Sequence, residues 1–119
     1  MISTLLALIL DYNCLVRQVL IEAEGESLAG KAMVAEVIRE RSRRSGLGYC
    51  AVIAQPRQFG TRPLRPPVRV VVEAVTALWH EPACSAVHFD VRGNRWSANL
   101  QIRCTVGRLV FYEGAEWRG

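Results

Sequence analysis

The sequence predicts a small α+β domain in which helices come first and an antiparallel sheet follows. Apolar residues recur at helical spacing up to about His80, short β-prone runs follow Pro82, and Gly107 separates the last two runs. Segregation of helices and strands along the chain is typical of α+β domains. At 119 residues the chain has the size of one domain, so we expect residues 1–119 to form a single one.

The first firm helical pattern begins near Asn13 and ends at Gly25, with Asp11 or Asn13 placed to cap its start. An apolar run, Leu5 to Leu10, precedes it. No basic residue comes before this run and no A-x-A site after it, which argues against a secretory signal. The run is also shorter than the roughly 20 residues of a membrane span. We expect a helical turn packed on the core and no membrane span.

The second helix is predicted to begin after Ser27, to run through about Arg44 and to close at Gly46. Its middle section is apolar on nearly every side, which places it in the centre of the fold. A short helical stretch from Tyr49 to Ala54 then stops at Pro56. The Pro- and Arg-rich residues 57–67 indicate a loop.

The third long helix is predicted over Val68 to His80, since two prolines precede it and Pro82 follows. The β-prone runs after it comprise Ala86–Phe89, Leu100–Val106 and Leu109–Tyr112. The last two flank Gly107 and predict a hairpin.

The charge balance favours an anionic partner. Fourteen Arg and one Lys against 11 carboxylates give a net charge of +4 and a pI near 9.2. Nucleic acid, an acidic membrane surface and an anionic cell-wall polymer all satisfy this. Nucleic acid is disfavoured because no basic run is interleaved with aromatics, and the cluster Arg39, Arg41, Arg43 and Arg44 can serve as cations at a helix end.

Four cysteines, Cys14, Cys50, Cys84 and Cys104, lie far apart without a C-x-x-C pair. This spacing gives no zinc site, and we expect neither a metal nor a cofactor. Four cysteines allow three full pairings, and the spacing selects none of them.

Three carboxylates, Glu22, Glu24 and Glu26, close the first helix. Glu22 falls at the margin of the apolar stripe and Glu24 points away from it, so Glu22 is predicted to be half-buried. Burial and a neighbouring carboxylate both raise the pKa of a carboxyl group, which suits a proton donor to a glycosidic oxygen. Composition alone favours a solvated surface cluster. His80 and His88 are placed to serve as structural residues.

The ordered motifs of the chain resemble the SleB-type cell wall hydrolase family, which includes spore-cortex lytic enzymes and phage relatives. The segment Glu22-Ala23-Glu24-Gly25-Glu26, followed by Gly30 and an apolar helix through Arg41, is similar to the family's E-A-R-G-E opening. Residues 52–59 resemble its V-I-x-Q-P-x-Q-F segment, and residues 106–112 resemble its closing I-G-x-H-x-F-Y. The resemblance covers about residues 12–112.

The resemblance implies a lysozyme-like fold and cleavage of the bond between N-acetylmuramic acid and N-acetylglucosamine in peptidoglycan. It places the catalytic acid on Glu22, which in lytic transglycosylases acts first as acid and then as base without a second carboxylate. Muramidase-type hydrolysis is the alternative. The matched positions predicted to line the substrate groove are Gln58, Phe59, His88, Trp96 and Tyr112; for Phe59, Trp96 and Tyr112 a core position is the competing interpretation.

Three positions depart from the family pattern. Glu24 replaces an Arg, Glu40 an Asn and Leu109 a His. Glu24 puts a negative charge near Glu22 and is a candidate modulator of its activity. These departures support a second hypothesis, a virion or wall-binding protein that keeps the fold without catalysis. A third is a basic nucleic-acid-binding domain.

The resemblance also predicts where the protein works. Its substrate and partner is bacterial peptidoglycan, in the periplasm or outside the cell. A short chain without a wall-binding domain is similar to a phage lysin or a virion-associated hydrolase, with virion proteins as further partners.

Overall fold

The computed structural model describes residues 2–55, 59–60, 68–91 and 100–114. Helices again precede strands within these residues, which confirms the predicted α+β order. The elements are α1 (Ile2–Ala23), α2 (Leu28–Ser45), α3 (Tyr49–Ile53), α4 (Val68–Ala77), β1 (His88–Val91), β2 (Gln101–Val106) and β3 (Leu109–Glu113).

Helix α2 lies at the centre of the core, as its apolar middle section predicts. Both of its ends follow the predicted signals. The hydroxyl group of Ser27 accepts a hydrogen bond from the N–H of Gly30 at 3.1 Å, and Gly46 closes the helix with a φ of 73°. Its buried aliphatic residues pack with those of α1, α4 and β3 in one cluster.

Helix α1 is longer than predicted. It begins at Ile2, and every side chain from Ile2 to Leu10 is exposed, so the expectation that this run packs on the core was wrong. Asp11 does not cap α1 either. It lies inside the helix, and its carboxylate accepts hydrogen bonds from the backbone N–H groups of Tyr49 at 2.7 Å and Cys50 at 2.9 Å. These two hydrogen bonds cap the first turn of α3, so α1 supports α3.

The turn between α1 and α2 is held by the buried ammonium group of Lys31. This group donates to the backbone oxygens of Glu24 at 3.2 Å and Glu26 at 2.5 Å. The carbonyl groups that follow the last turn of a helix lack helical partners, and a cation there satisfies them. Lys31 thereby fixes the backbone that follows Glu22.

The sheet has the order β1-β3-β2, with antiparallel pairing throughout. Gly107, at a φ of 58°, makes the predicted turn between β2 and β3. The central strand β3 is buried from Leu109 to Tyr112 and faces the helices through Phe111. Strand β1 begins two residues later than predicted, at His88, although the N–H of Val87 already donates to the backbone oxygen of Tyr112.

Helix α4 ends at Ala77, three residues before the predicted end. Its buried face comprises small residues, Ala74 and Ala77, together with Leu78 just beyond the helix. Val72 and Val75 are exposed instead. Small side chains allow α4 to approach α1 and α2 closely, which the apolar pattern of the valines did not indicate.

Two disulfides join segments that are distant in sequence. Cys14–Cys50 links α1 to α3, and Cys84–Cys104 links the segment before β1 to β2. The sequence left three pairings open. The folded chain selects this one because α3 docks beside α1 and the edge of the sheet lies beside residues 81–87.

We expect the paired substitution Cys14→Ser, Cys50→Ser to lower the free energy of unfolding by about 2–4 kcal/mol, because the bridge closes a long loop in the unfolded chain. Urea denaturation measures this loss. The matched control is Cys84→Ser, Cys104→Ser, which opens a shorter loop and should cost no more. A non-reducing peptide map that shows any other pairing would contradict the assignment.

Candidate active site

Glu22 lies in the last turn of α1 and is half-buried, as its helical register predicts. Its Oε1 atom accepts two hydrogen bonds, from the N–H of Gly60 at 2.6 Å and from Nε2 of Gln18 at 3.0 Å. The same Nε2 group donates to the backbone oxygen of Gly60 at 2.8 Å. Gln18 therefore fixes both the carboxyl group and the loop that contacts it.

These contacts determine which oxygen of Glu22 can carry a proton. Because Oε1 accepts two N–H hydrogen bonds, the proton of the neutral carboxyl group belongs on Oε2. Gly60 makes the approach possible, since a Cβ atom at this position would lie 3.3 Å from Oε1. The site thus presents a carboxyl group that is held through one oxygen and can transfer a proton through the other.

The buried guanidinium group of Arg41 interacts with the charge of this carboxyl group. Burial lowers the pKa of Arg41 to about 10, and the charge of Glu22 opposes that decrease. Arg41 therefore remains protonated at neutral pH. Its Nε donates to the backbone oxygen of Val87 at 2.6 Å, and its Cζ lies 4.7 Å from the centre of the Phe59 ring.

His88, at the start of β1, is another neighbour of Arg41. Nη2 of Arg41 is 3.3 Å from Nδ1 of His88. A guanidinium group can only donate, so Nδ1 is the acceptor and Nε2 carries the proton. Burial, and then the positive charge of Arg41, lower the pKa of His88 to about 4, so the ring is neutral at neutral pH.

Three of the predicted groove residues fall within the described part of the chain. Phe59 and His88 both contact Arg41, and Tyr112 pairs with His88 across β1 and β3. Phe59 also packs against the core cluster and Tyr112 is buried, so the competing core interpretation holds for part of each side chain. Gln58 and Trp96 lie outside the described residues.

The other two glutamates of the cluster have different surroundings. Glu24 is exposed, as its register predicts. Glu26 is buried and accepts two hydrogen bonds from Arg108, at 3.0 Å and 2.7 Å, next to the turn of the β-hairpin. Glu26 therefore joins the α1–α2 turn to the sheet, while Glu22 is the glutamate that contacts Gln18 and Gly60.

Two of the departures from the family pattern are part of the scaffold. Glu40 pairs with Arg43 at 2.7 Å and Arg44 at 3.0 Å, and Leu109 belongs to the hydrophobic core. The arginines near the end of α2 also differ in their surroundings. Arg43 and Arg44 lie in the last turn of α2 and pair with carboxylates, whereas Arg41 is buried before that turn, so its assignment as a cation at the helix end was wrong.

Sequence reasoning missed Gln18, Gly60 and Arg41 as parts of the site. Gln18 precedes Glu22 by four residues, a spacing that brings two side chains together on a helix, and this signal was available. Arg41 stands in the matched motif and interrupts an apolar helix face. Gly60 carries no local signal, because its role depends on how the loop returns to α1.

The helices and sheet around Glu22 form a lysozyme-like α+β fold. No protein-family model matches the chain, and neither does any curated protein. Among solved structures it is similar to the catalytic domain of the germination-specific lytic transglycosylase SleB from Bacillus anthracis. That match has a TM-score of 0.70 and 21% identity, and covers 87% of this chain and 93% of the other.

The catalytic domain of the Bacillus cereus SleB protein is similar as well. It matches with a TM-score of 0.67 and 21% identity over 87% of this chain and 89% of the other. At this identity the comparison establishes the fold. The fold implied by the resemblance to the SleB-type family is therefore confirmed.

The neutral, partly buried His88 should make stability depend on pH. Its pKa of about 4 in the folded protein lies below the ordinary value of about 6.5, so the unfolded chain binds the proton first. The contribution of His88 to the free energy of unfolding is fully present above about pH 6.5 and is lost as the pH falls towards 4. We expect His88→Gln to weaken the pH dependence of the free energy of unfolding in this window, measured by urea denaturation. Exposed His80→Gln is the control, and an equal effect of both variants would refute the role of His88.

Proposed function

We propose that the protein is a lytic transglycosylase that cleaves the bond between N-acetylmuramic acid and N-acetylglucosamine in peptidoglycan. The observation that carries this proposal is Glu22 itself: one half-buried carboxyl group, held at 2.6 Å by Gly60 and at 3.0 Å by Gln18, in the fold of a SleB catalytic domain. A single acid is sufficient for this reaction, because the second nucleophile comes from the substrate.

The proposed reaction uses Glu22 twice. Its Oε2 donates a proton to the glycosidic oxygen, the bond between that oxygen and the anomeric carbon breaks, and the N-acetylglucosamine side leaves as an alcohol. The carboxylate then takes the proton of the muramic acid 6-hydroxyl group, and the oxygen of that hydroxyl group bonds to the anomeric carbon. The product is a 1,6-anhydro sugar, and Glu22 regains its proton. Hydrolysis would differ only in that water supplies the attacking oxygen.

Arg41 supports this cycle electrostatically. After the first proton transfer Glu22 is negative, and this negative charge must be stabilised. The protonated guanidinium group stabilises the carboxylate in a partly desolvated site, where Coulomb interactions are stronger than in water. Because it is fixed by Val87, His88 and Phe59, it needs no rearrangement during the reaction.

The groove would be lined from two sides. Phe59 stands beside Glu22 on the loop, and His88 and Tyr112 contribute from the sheet; Gln58 and Trp96 remain proposals from sequence. Aromatic faces pack against the apolar faces of sugar rings, and the neutral His88 can donate from Nε2 to a sugar oxygen.

The cell wall is the proposed place of action, in the periplasm or outside the cell. Disulfides persist in oxidising compartments, and both cysteine pairs are bridged. The net charge of +4 favours adsorption to anionic wall polymers. A phage-encoded lysin, associated with the virion or released from the host cytoplasm, is one setting that fits this description.

One observation favours the second candidate, a wall-binding protein without catalysis. Glu24 introduces a negative charge where the family pattern has an Arg, two residues from Glu22. Muropeptide analysis of the wild type separates the two candidates. Binding to intact peptidoglycan without release of any product would support the inactive protein.

Glu22→Gln should abolish product release from purified peptidoglycan, lowering the rate by about a thousandfold or more, since an amide has no proton to donate. The wild type should release muropeptides with anhydro ends, detected by mass spectrometry as species lighter by one water than reducing ends. Glu24→Gln, at the exposed position two residues away, is the matched control and should remain active. Reducing ends would indicate hydrolysis, and equal activity of the Glu22 variant would exclude Glu22 as the acid.

Arg41→Lys should lower kcat by about 10–100-fold with a smaller change in KM, because a lysine keeps the charge but loses the fixed guanidinium geometry. Steady-state release of soluble muropeptides measures both constants. Arg43→Lys is the control on the exposed side of the same helix. Urea denaturation of both variants checks that the fold is kept, and a folded Arg41 variant with wild-type kcat would contradict the positioning role.

A further inference from the structure

The first nine described residues of α1, Ile2–Leu10, form an apolar helical segment that projects into solvent. This segment has no charged residue. Its large aliphatic side chains are all more than half exposed: Ile2 78%, Leu5 59%, Leu6 54%, Leu8 61%, Ile9 55% and Leu10 62%. Exposure of this much adjacent aliphatic surface is unfavourable in water and marks an interaction surface.

The base of the segment is firmly held. Asp11 accepts hydrogen bonds from Tyr49 and Cys50, and the disulfide Cys14–Cys50 follows one turn later. Beyond Asp11 the helix continues for nine residues, about 13–14 Å at 1.5 Å per residue.

The distribution of the aliphatic side chains indicates what covers them. At about 100° per residue they span an arc of about 200° around the helix axis, whereas a helix that packs on one protein partner needs an apolar stripe about half as wide. The remaining arc carries the small uncharged residues Ser3, Thr4 and Ala7. A helix that lies flat in a membrane interface has a strongly charged face, and this segment has none. Lipid chains that surround the helix remove such a surface from water on all sides.

We propose that Ile2–Leu10 inserts end-on into a lipid bilayer and holds the folded body at the membrane surface. By length and composition α1 also passes the test for a membrane-spanning helix, a test that signal sequences and core helices pass too. The geometry points to partial insertion, because from Asp11 onwards α1 is fixed to the body.

The net charge of the chain is complementary to anionic lipid. Each cation close to an anionic bilayer surface adds to the attraction, and the whole chain carries a charge of +4.

Sedimentation with vesicles of phosphatidylcholine and phosphatidylglycerol tests the proposal. The wild-type chain should pellet with the vesicles, and the triple variant Leu5→Gln, Leu6→Gln, Ile9→Gln should bind about a hundredfold more weakly. Because these side chains are exposed in the folded protein, circular dichroism and thermal unfolding of the variant should match the wild type. The control is Val72→Gln, Val75→Gln, Trp79→Gln, which removes the exposed apolar residues near and on α4 and should keep wild-type binding.

Three outcomes would overturn the proposal. They are no binding by the wild type, equal loss in the control, or self-association in analytical ultracentrifugation that depends on Leu5, Leu6 and Ile9 while vesicles stay unbound. The inference is independent of the proposed catalysis. Glu22→Gln should bind vesicles like the wild type, so failure of one proposal is distinguishable from failure of the other.

Discussion

The guanidinium group of Arg41 has lost most of its contact with water, so the protein itself must compensate its charge. The groups that do so include the backbone oxygen of Val87, the Nδ1 atom of His88, the ring face of Phe59 and the charge of Glu22. They come from the sheet side, the loop and the first helix. Because a buried unpaired charge is costly, each of these segments has an energetic reason to stay where the site needs it. The geometry around Glu22 follows from this constraint.

The environment of each glutamate, rather than its chemical type, separates the three members of the cluster. They lie within five consecutive positions, yet one is exposed, one forms an ion pair with Arg108, and one contacts the glycine of a distant loop. The helix ends within these five residues, so each side chain leaves the backbone in a different direction. A tight helix–helix turn can thus give neighbouring carboxylates unrelated tasks.

The elements that the sequence predicts correctly are those determined by adjacent residues. Ser27 and Gly46 bound α2, and Gly107 makes the hairpin, because a capping hydroxyl group and a left-handed glycine act within one turn of the chain. Register also predicts that Glu22 is half-buried. In contrast, Asp11, Arg41 and Gly60 acquire their roles from partners 18 or more residues away, and the disulfide pairing depends on docking. The exposed start of α1 is an exception to the rule that apolar runs lie in the core.

Helix α1 is one continuous rod that carries its apolar segment at one end and Glu22 at the other. Eleven residues separate Asp11 from Glu22, which corresponds to about 16 Å along the axis. With the segment in lipid, the length of α1 sets the height above the bilayer at which a glycan strand can be cut. Strands that lie closer to the membrane or farther from it would pass out of reach, so the geometry of one helix would select which layer of the wall is opened.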